Sequence, residues 1–426
     1  MRIALLGAAG FIGRPVMAAL LAAGHEVLAV VRRQGALAEA FPEARFLERD
    51  LAHALDPAAW ESDLAGIDCV VNAAGLLSGP DLEAVHVTMA AALGAGARRA
   101  GVTRMVLISA ISAREDVATD YARTKLAGEA LVRSGAVDWT ILRPSLVYGE
   151  GSYGGTSLMR GLAALPFAVP LAGTGDYPFT PIHVRDLART IVEVCENPAL
   201  AGCTLEPCGP DTLSLRELLA RYRAWLGLGR ARFVTVPLPV MRVLGRLGDL
   251  TGAGPIATNS LEQMLAGNAG DPQAFSSAIG FTPRALDVAL RDSPAQVQDR
   301  WHARLFFLAP ATTAVLVLLW LASAILGVMQ GAAATHDLLA ALGLPQGLAD
   351  PLRLGSSALD LVLAVLVVRD RTGRWSTPLQ FGVVVGYSLV IGWALPQLWL
   401  DPLGPLLKNL PIFALIAIHG VLVDKR

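Results

Sequence analysis

From residue 305 to residue 423 the chain carries four apolar segments that an ordinary soluble core does not absorb. They are 305–329 ("LFFLAPATTAVLVLLWLASAILGVM"), 352–368, 379–396 and 406–423. A helix needs roughly 20 apolar residues, and no fewer than about 17, to cross the hydrocarbon layer of a bilayer. The first segment clears that length and the others lie near it. A helix that packs one face on a soluble core is polar on its opposite face, whereas these segments are apolar nearly all round. We expect an all-α, four-helix transmembrane bundle over residues 301–426 and a separate water-soluble region over residues 1–300.

Flanking charges set the orientation. Arg300 and Arg304 precede the first segment; Arg369, Arg371 and Arg374 separate the second from the third; Lys425 and Arg426 end the chain. The two other connections hold Asp337, Asp350 and Asp401, with only Arg353 and Lys408 as nearby cations. Cations stay on the cytosolic side, so the N-terminal region and the C-terminus are expected in the cytosol, at the inner (cytoplasmic) membrane. Asp360 and His419 fall inside the second and fourth segments. An ionisable group at that depth is costly and faces the bundle interior, either as a proton or quinone-headgroup site or as a polar contact between helices.

Composition agrees with this division. Apolar residues make up 54% of the 426 and charged residues 17%, against about 45–50% and 25% in soluble domains, and the excess is confined to the C-terminal part. A formal net charge of −1 supplies no basic stripe to neutralise phosphates, so nucleic acid is not an expected partner. Cys69, Cys195, Cys203 and Cys208 contain no CxxC pair and read as free thiols in a reducing compartment.

The chain opens with a strand-length apolar run, "RIALLG", then GAAGFIG, then the helical pattern "RPVMAALLAAG" and a second strand, "HEVLAVV". Gly7, Gly10 and Gly13, spaced three apart, permit a tight turn. They let backbone N–H groups of the stretch containing Ala9, Phe11 and Ile12 approach a pyrophosphate at a helix N-terminus. The strand–turn–helix–strand context makes this a dinucleotide site; a signal peptide would not explain the glycines. Where an acidic residue would bind the ribose of NAD, the second strand ends in Arg32 and Arg33. They are either two solvated loop arginines or ligands of a 2′-phosphate, and NADP(H) is expected over NAD(H). Further strands, "ARFLERD", "IDCVVNAAG", "RMVLIS" and "DWTILRPS", alternate with helical segments. This predicts an α/β fold with a doubly wound parallel Rossmann sheet. Its strand ends carry Asp50 and Leu51, Asn72-Ala73-Ala74-Gly75, Ser109 and Arg143-Pro144-Ser145 as further cofactor contacts.

In "DYARTKLAGE" Lys125 stands four residues after Tyr121 and is one of three lysines beside 32 arginines. On a helix the two share a face. A phenol with a pKa of about 10 is a poor acid at neutral pH; an adjacent ammonium is expected to lower that value and make Tyr121 a proton donor.

Together GAAGFIG, NAAG, YARTK followed by LAGE, "LRPSLVYG" (142–149) and "HVRDLA" (183–188) resemble an extended or atypical short-chain dehydrogenase/reductase over residues 1–300. The nearest likeness is to the branch that includes the nucleotide-binding accessory subunit of respiratory complex I and NmrA-like proteins. The resemblance implies Tyr121 as general acid/base, Lys125 as its partner and ribose ligand, and a serine after the fifth strand. Ser109 is the candidate for that serine and Ser112 the alternative. It also implies a substrate lobe, mainly residues 150–182 and 207–300. By span count, size and order, residues 301–426 resemble a DoxX-like domain. The expected activity is that of a membrane-anchored NADP(H)-dependent oxidoreductase acting on a small, lipophilic carbonyl or quinone-like substrate. The alternatives are a non-catalytic NADPH sensor or assembly factor with a membrane-complex partner, and a sugar-nucleotide epimerase.

Overall fold

The computed structural model describes residues 1–135, 137–251, 257–402 and 404–424. Lys425 and Arg426, counted above among the tail cations, lie outside them. The chain divides into two units, Met1–Ala303 and Arg304–Arg426.

The first unit is built on seven parallel strands: β1 (Arg2–Leu6), β2 (Glu26–Val31), β3 (Arg45–Glu48), β4 (Cys69–Asn72), β5 (Arg104–Ile108), β6 (Asp138–Leu142) and, later in the chain, β11 (Cys203–Leu205). Between β6 and β11 come the short strands β7 (Val147–Tyr148), β8 (Val169–Ala172), β9 (Pro178–Phe179) and β10 (Ile182–His183). The sheet order is β11-β6-β5-β4-β1-β2-β3. The chain moves outward from β1 on one side, then restarts at β4 on the other. The order therefore reverses between β1 and β4, and the carboxyl ends of these two strands flank the crevice where such sheets hold ligands. Leu6 pairs with Asn72 at that point.

Period-two alternation supplies a core on each face of the sheet. Ile3 and Leu5 of β1 pack with α1 (Gly13–Ala22) through Val16, Met17 and Leu20, whereas Ala4 and Leu6 join Trp60, Met89 and Leu93 on the opposite face. Each of the fully buried Ile, Leu, Val and Met side chains among these contributes about 1.5–3 kcal/mol of hydrophobic stabilisation. The helices on the second face are α3 (Pro57–Asp63) and α4 (Met89–Arg99), following α2 (Gly35–Ala40). Gly96 of α4 lets the two approach, since a Cβ there would lie 2.4 Å from the Trp60 Cβ. Next come α5 (Asp120–Arg133), α6 (Gly155–Ala163) and α7 (Val184–Glu196). A lobe with its own core of Tyr148, Met159, Phe179, Leu218 and Tyr222 completes the unit.

Helix Val297–Met329, which begins in the first unit and continues into the second, and helices Gln346–Arg369 and Ser376–Ala394 are, among the described residues, long and apolar enough to cross a membrane. The fourth expected segment forms a helix only over Asn409–Val423, 15 residues, which rises about 22 Å against roughly 30 Å of hydrocarbon. Before it the chain turns at Gly404, in the left-handed region at φ 55°, and Lys408 N–H donates to the Gly404 carbonyl (3.0 Å). A helix that the sequence had not suggested, Ala333–Leu342, lies between the first and second.

Burial in the second unit is reversed relative to a soluble bundle. Leu318, Val368, Leu389 and Val421 are exposed, while Asp360, Gln380, Ser388 and His419 are buried. Several of these interior polar groups are hydrogen-bonded, although the buried His419 ring nitrogens are not. Ser323 donates to Asp360 (2.6 Å), Trp320 Nε1 to Gln380 (2.9 Å) and Asn409 to Ser388 (2.8 Å). This is the distribution expected where lipid replaces water outside.

Candidate active site

The glycine turn is sterically obligatory. Gly7 has φ 75°, and a Cβ on it would meet the Ala73 backbone at 3.0 Å; a Cβ on Gly13 would lie 2.1 Å from the Gly7 carbonyl oxygen. Gly10 N–H donates to the Gly7 carbonyl (2.9 Å), folding the turn tightly over the end of β1. The first turn of α1 has no side-chain cap; Arg14 N–H is spent on the Gly10 carbonyl (3.1 Å) and Pro15 has none, so the Gly13 N–H and the positive end of the helix dipole are what this turn offers an anion. Ala9 and Gly10 are exposed and Phe11 and Ile12 half-buried at this turn. On β4, Asn72 Oδ1 accepts from Ala74 N–H (3.1 Å), holding the Asn72–Gly75 stretch against the turn. These features fit a dinucleotide with its pyrophosphate on α1.

Arg32 and Arg33 are exposed directly after β2. Asp50 is exposed too, capping its own turn through Ala52 N–H (3.2 Å) and His53 (3.1 Å). Its carboxyl lies below the usual range, mainly through the His53 hydrogen bond, with a smaller contribution from the Arg32 charge. Leu51 packs against the core.

The first turn of α5 is capped by Thr119, whose hydroxyl accepts from Ala122 N–H (3.1 Å). Tyr121, Thr124, Lys125, Gly128, Glu129 and Val132 are the buried face of this helix. The spacing is that of an ordinary amphipathic helix, but of the seven buried residues, Ala122 included, four are polar. Tyr121 and Lys125 are brought together as expected, 8% and 6% exposed, with Lys125 Nζ 5.8 Å from the phenol ring centre. Lys125 donates to the Ile108 carbonyl at the end of β5 (3.1 Å) and lies beside Gly75. The expected lowering of the phenol pKa is not what this geometry produces. Burial dominates at that separation, pushing Tyr121 up to about 12, with the nearby Tyr153 adding to the rise. Burial also brings Lys125 down to about 8, against the opposing pull of Glu129.

Two residues that the sequence did not single out organise the pair. His86 sits in a π-helical turn, Ala84–Thr88, packed so closely on α5 that a Cβ at Gly128 would lie 2.4 Å from the His86 carbonyl oxygen. Its Nε2 accepts from Leu76 N–H (3.1 Å), so the ring proton is on Nδ1, which donates to Thr124 Oγ1 (2.9 Å). That hydroxyl in turn donates to the Tyr121 carbonyl (3.2 Å). Burial, reinforced by the Lys125 charge, depresses His86 to about 3, so it stands neutral and meets the Tyr121 ring edge to face at 5.7 Å.

Glu129 is fully buried. It accepts from Ser109 Oγ (2.6 Å), from Arg143 at two positions (2.9 and 2.7 Å) and from Arg133 (2.8 Å). Ser109 and Arg143, expected at the substrate and cofactor, are thus committed to this carboxylate. Ser145 donates to the Asn268 carbonyl, and Pro144 accepts from Ile111 N–H (3.0 Å). Ser112, the alternative serine, is buried. A polar residue on the apolar face of a helix is the signal that marks His86 and Glu129 in the sequence.

Beyond β7, the glycine-rich stretch Gly149–Gly155 lies near Phe11; a Cβ on Gly149 or Gly151 would stand 3.8 Å from its ring. Arg160 fixes the start of this stretch by donating to the Gly149 carbonyl (2.7 Å).

The profile of the NAD(P)H-binding family matches residues 7–198, and that of the DoxX-like family residues 317–417. The fold and its glycine turn define an NAD(P)-binding Rossmann protein of the oxidoreductase type joined to a DoxX-like membrane domain. A ceramide reductase of Caulobacter vibrioides is 30% identical over 252 residues, 58% of this chain and 77% of the relative, and the chain belongs to the same NAD(P)H-binding family. A mitochondrial NADH dehydrogenase [ubiquinone] 1 alpha subcomplex subunit 9 of Mus musculus is 27% identical over 263 residues, 59% of this chain and 67% of the relative. Among solved structures, a nucleoside-diphosphate-sugar epimerase from Staphylococcus aureus superposes with a TM-score of 0.57 at 17% identity. It covers 68% of this chain and all of its own. MoeE5 in complex with UDP-glucuronic acid and NAD gives 0.52 at 22% identity, over 68% of this chain and 97% of its own. At these identities the structural likeness speaks for the fold alone.

Proposed function

We propose that the protein is a membrane-anchored, NADP(H)-dependent reductase of a carbonyl group carried by a lipophilic substrate. The observation that carries this reading is the burial of Tyr121 and Lys125 on one face of α5, at the carboxyl end of β5. The relative named ceramide reductase supports a lipid as the substrate class, and the DoxX-like domain supports a membrane location.

Gly7–Gly13 would hold the pyrophosphate, Arg32 and Arg33 the adenosine phosphate, and Lys125 the ribose hydroxyls. When bound there, the dinucleotide would supply the hydride for a substrate carbonyl carbon. The phenol of Tyr121, held protonated by its raised pKa, donates its proton to the carbonyl oxygen. The Lys125 ammonium stabilises the resulting phenolate, and the neutral His86–Thr124 chain holds the first turn of α5 in place. The Ser109–Glu129–Arg143 group positions α5 against β5 and β6. We further place the first unit and the C-terminus in the cytosol at the inner membrane, from the arginines that flank the helices.

The test uses the full chain in nanodiscs. NADPH is titrated against NADH, and NADPH oxidation is followed with long-chain ketones and with short quinones, for the wild type and Tyr121→Phe. Tyr121-dependent reduction of a lipophilic ketone is the expected result. Tight NADPH binding without Tyr121-dependent turnover would instead establish a nucleotide sensor or assembly factor, a reading favoured by the commitment of Ser109 to Glu129.

A further inference from the structure

Helix Leu238–Thr251 lies in the lobe of the first unit, and its surroundings divide it into three faces. Gly245 faces the helix Thr258–Leu265, where a Cβ would meet the Thr258 backbone at 3.2 Å and 3.3 Å. Asp249 ties the two helices by accepting from Thr258 N–H (3.0 Å) and Oγ1 (2.6 Å). Along one edge stand Arg242, which pairs with Glu262 at 3.3 Å, and Arg246. The third face, a sector of about 100°, holds Val240, Val243 and Leu244, which are 48%, 55% and 45% exposed. A helix in a soluble lobe turns its apolar stripe inward. This one packs through glycine and turns large aliphatic side chains outward, and Val234 of β13 (Phe233–Val236) is exposed in the same lobe.

We propose that this face docks on a lipid surface, with Val240, Val243 and Leu244 entering the headgroup–acyl boundary and Arg242 and Arg246 at the level of anionic headgroups. Three observations select lipid over a protein partner. The same chain carries helices long and apolar enough to span a bilayer, so a membrane is always at hand. The face is purely aliphatic, without the Trp or Tyr anchors that dominate protein interfaces. Beside it, Arg246 adds a cation to the Arg242–Glu262 pair, as on helices that lie in an anionic interface.

The test places an NBD fluorophore at Val243→Cys or Leu244→Cys, and at Ala130→Cys on the exposed face of α5, in the full chain. Each is reconstituted in phosphatidylcholine–phosphatidylglycerol nanodiscs, with or without lipids bearing a nitroxide near the top of the acyl chain. Unchanged NADPH affinity certifies each variant as folded. For insertion of about 5–10 Å, labels at 243 and 244 are expected to emit to the blue and to be quenched roughly twofold or more beyond the Ala130 label. Quenching at 243 and 244 no greater than at 130 overturns the proposal, whether water, a second copy or another protein covers the face. The readout involves no turnover, so an inert enzyme with quenched labels would refute the reductase reading while leaving the docking intact.

Discussion

Ser109 donates a 2.6 Å hydrogen bond to the buried carboxylate of Glu129. This joins the end of β5 to the third turn of α5 and occupies the hydroxyl that the dehydrogenase likeness assigned to substrate. Burial alone would raise the Glu129 carboxyl, but hydrogen bonds from Arg143 and Ser109 outweigh it and hold it below the ordinary range. Its contribution to stability is therefore present above the carboxylate range and is lost as the pH falls through its own depressed value.

Ser109→Ala should accordingly cost about 1.5–3 kcal/mol of stability, the range for a hydrogen bond to a charged group, read as a lower urea midpoint with NADPH affinity unchanged. Turnover that fell by the roughly hundredfold or more typical of a lost acid–base group, with stability unaltered, would return Ser109 to the substrate.

The pH profile follows from the titration of Lys125. Its ammonium loses its proton near pH 8 rather than near 10.5, and the phenol cannot share that duty because it stays protonated to about 12. Reductive turnover should be flat below about pH 7.5 and fall as the pH rises through about 8. A wild-type profile flat to pH 10 would contradict the assignment.

Stability should move the opposite way from activity at this position. The folded-state pKa of Lys125 lies below its unfolded value, so between about pH 8 and 10.5 the unfolded chain binds the extra proton and stability climbs with pH. Below pH 8 the buried charge opposes folding in full. Lys125→Met should therefore stabilise the nucleotide-free protein by up to about 3 kcal/mol at pH 7, at about 1.4 kcal/mol per pKa unit, while abolishing turnover. A destabilised Lys125→Met variant would show that the bond to the Ile108 carbonyl outweighs the burial of charge.

Cofactor choice is tested at the end of β2. Arg32→Ala should weaken NADPH about tenfold, the equivalent of about 1.4 kcal/mol, and leave NADH within about twofold. Equal loss for both nucleotides would assign Arg32 to stacking or general charge and remove the case for NADP(H).

Much of this architecture was legible because it depends on spacing. Strand-length apolar runs separated by helical ones defined the parallel sheet, and Gly7, Gly10 and Gly13 marked its crevice because a Cβ does not fit there. The apolar C-terminal segments announced a second solvent. The Tyr121–Lys125 proximity followed from a four-residue step along α5. The electrostatics did not follow: at 5.8 Å the cation loses to burial, and spacing carries no information about depth. Nor could it show that Ser109 and Arg143 turn toward Glu129, since that depends on the long-range packing of β6 beside β5. Composition did not show how short the regular helix of the fourth apolar segment is, 15 residues over Asn409–Val423.

The first unit contains a single lysine, Lys125. The residue on which the proposed chemistry turns is thus also spectroscopically isolated. Isotope-labelled lysine would give three resonances for the whole chain, and the one that moves near neutral pH and shifts on adding nucleotide reports on the reaction centre from inside an intact membrane particle.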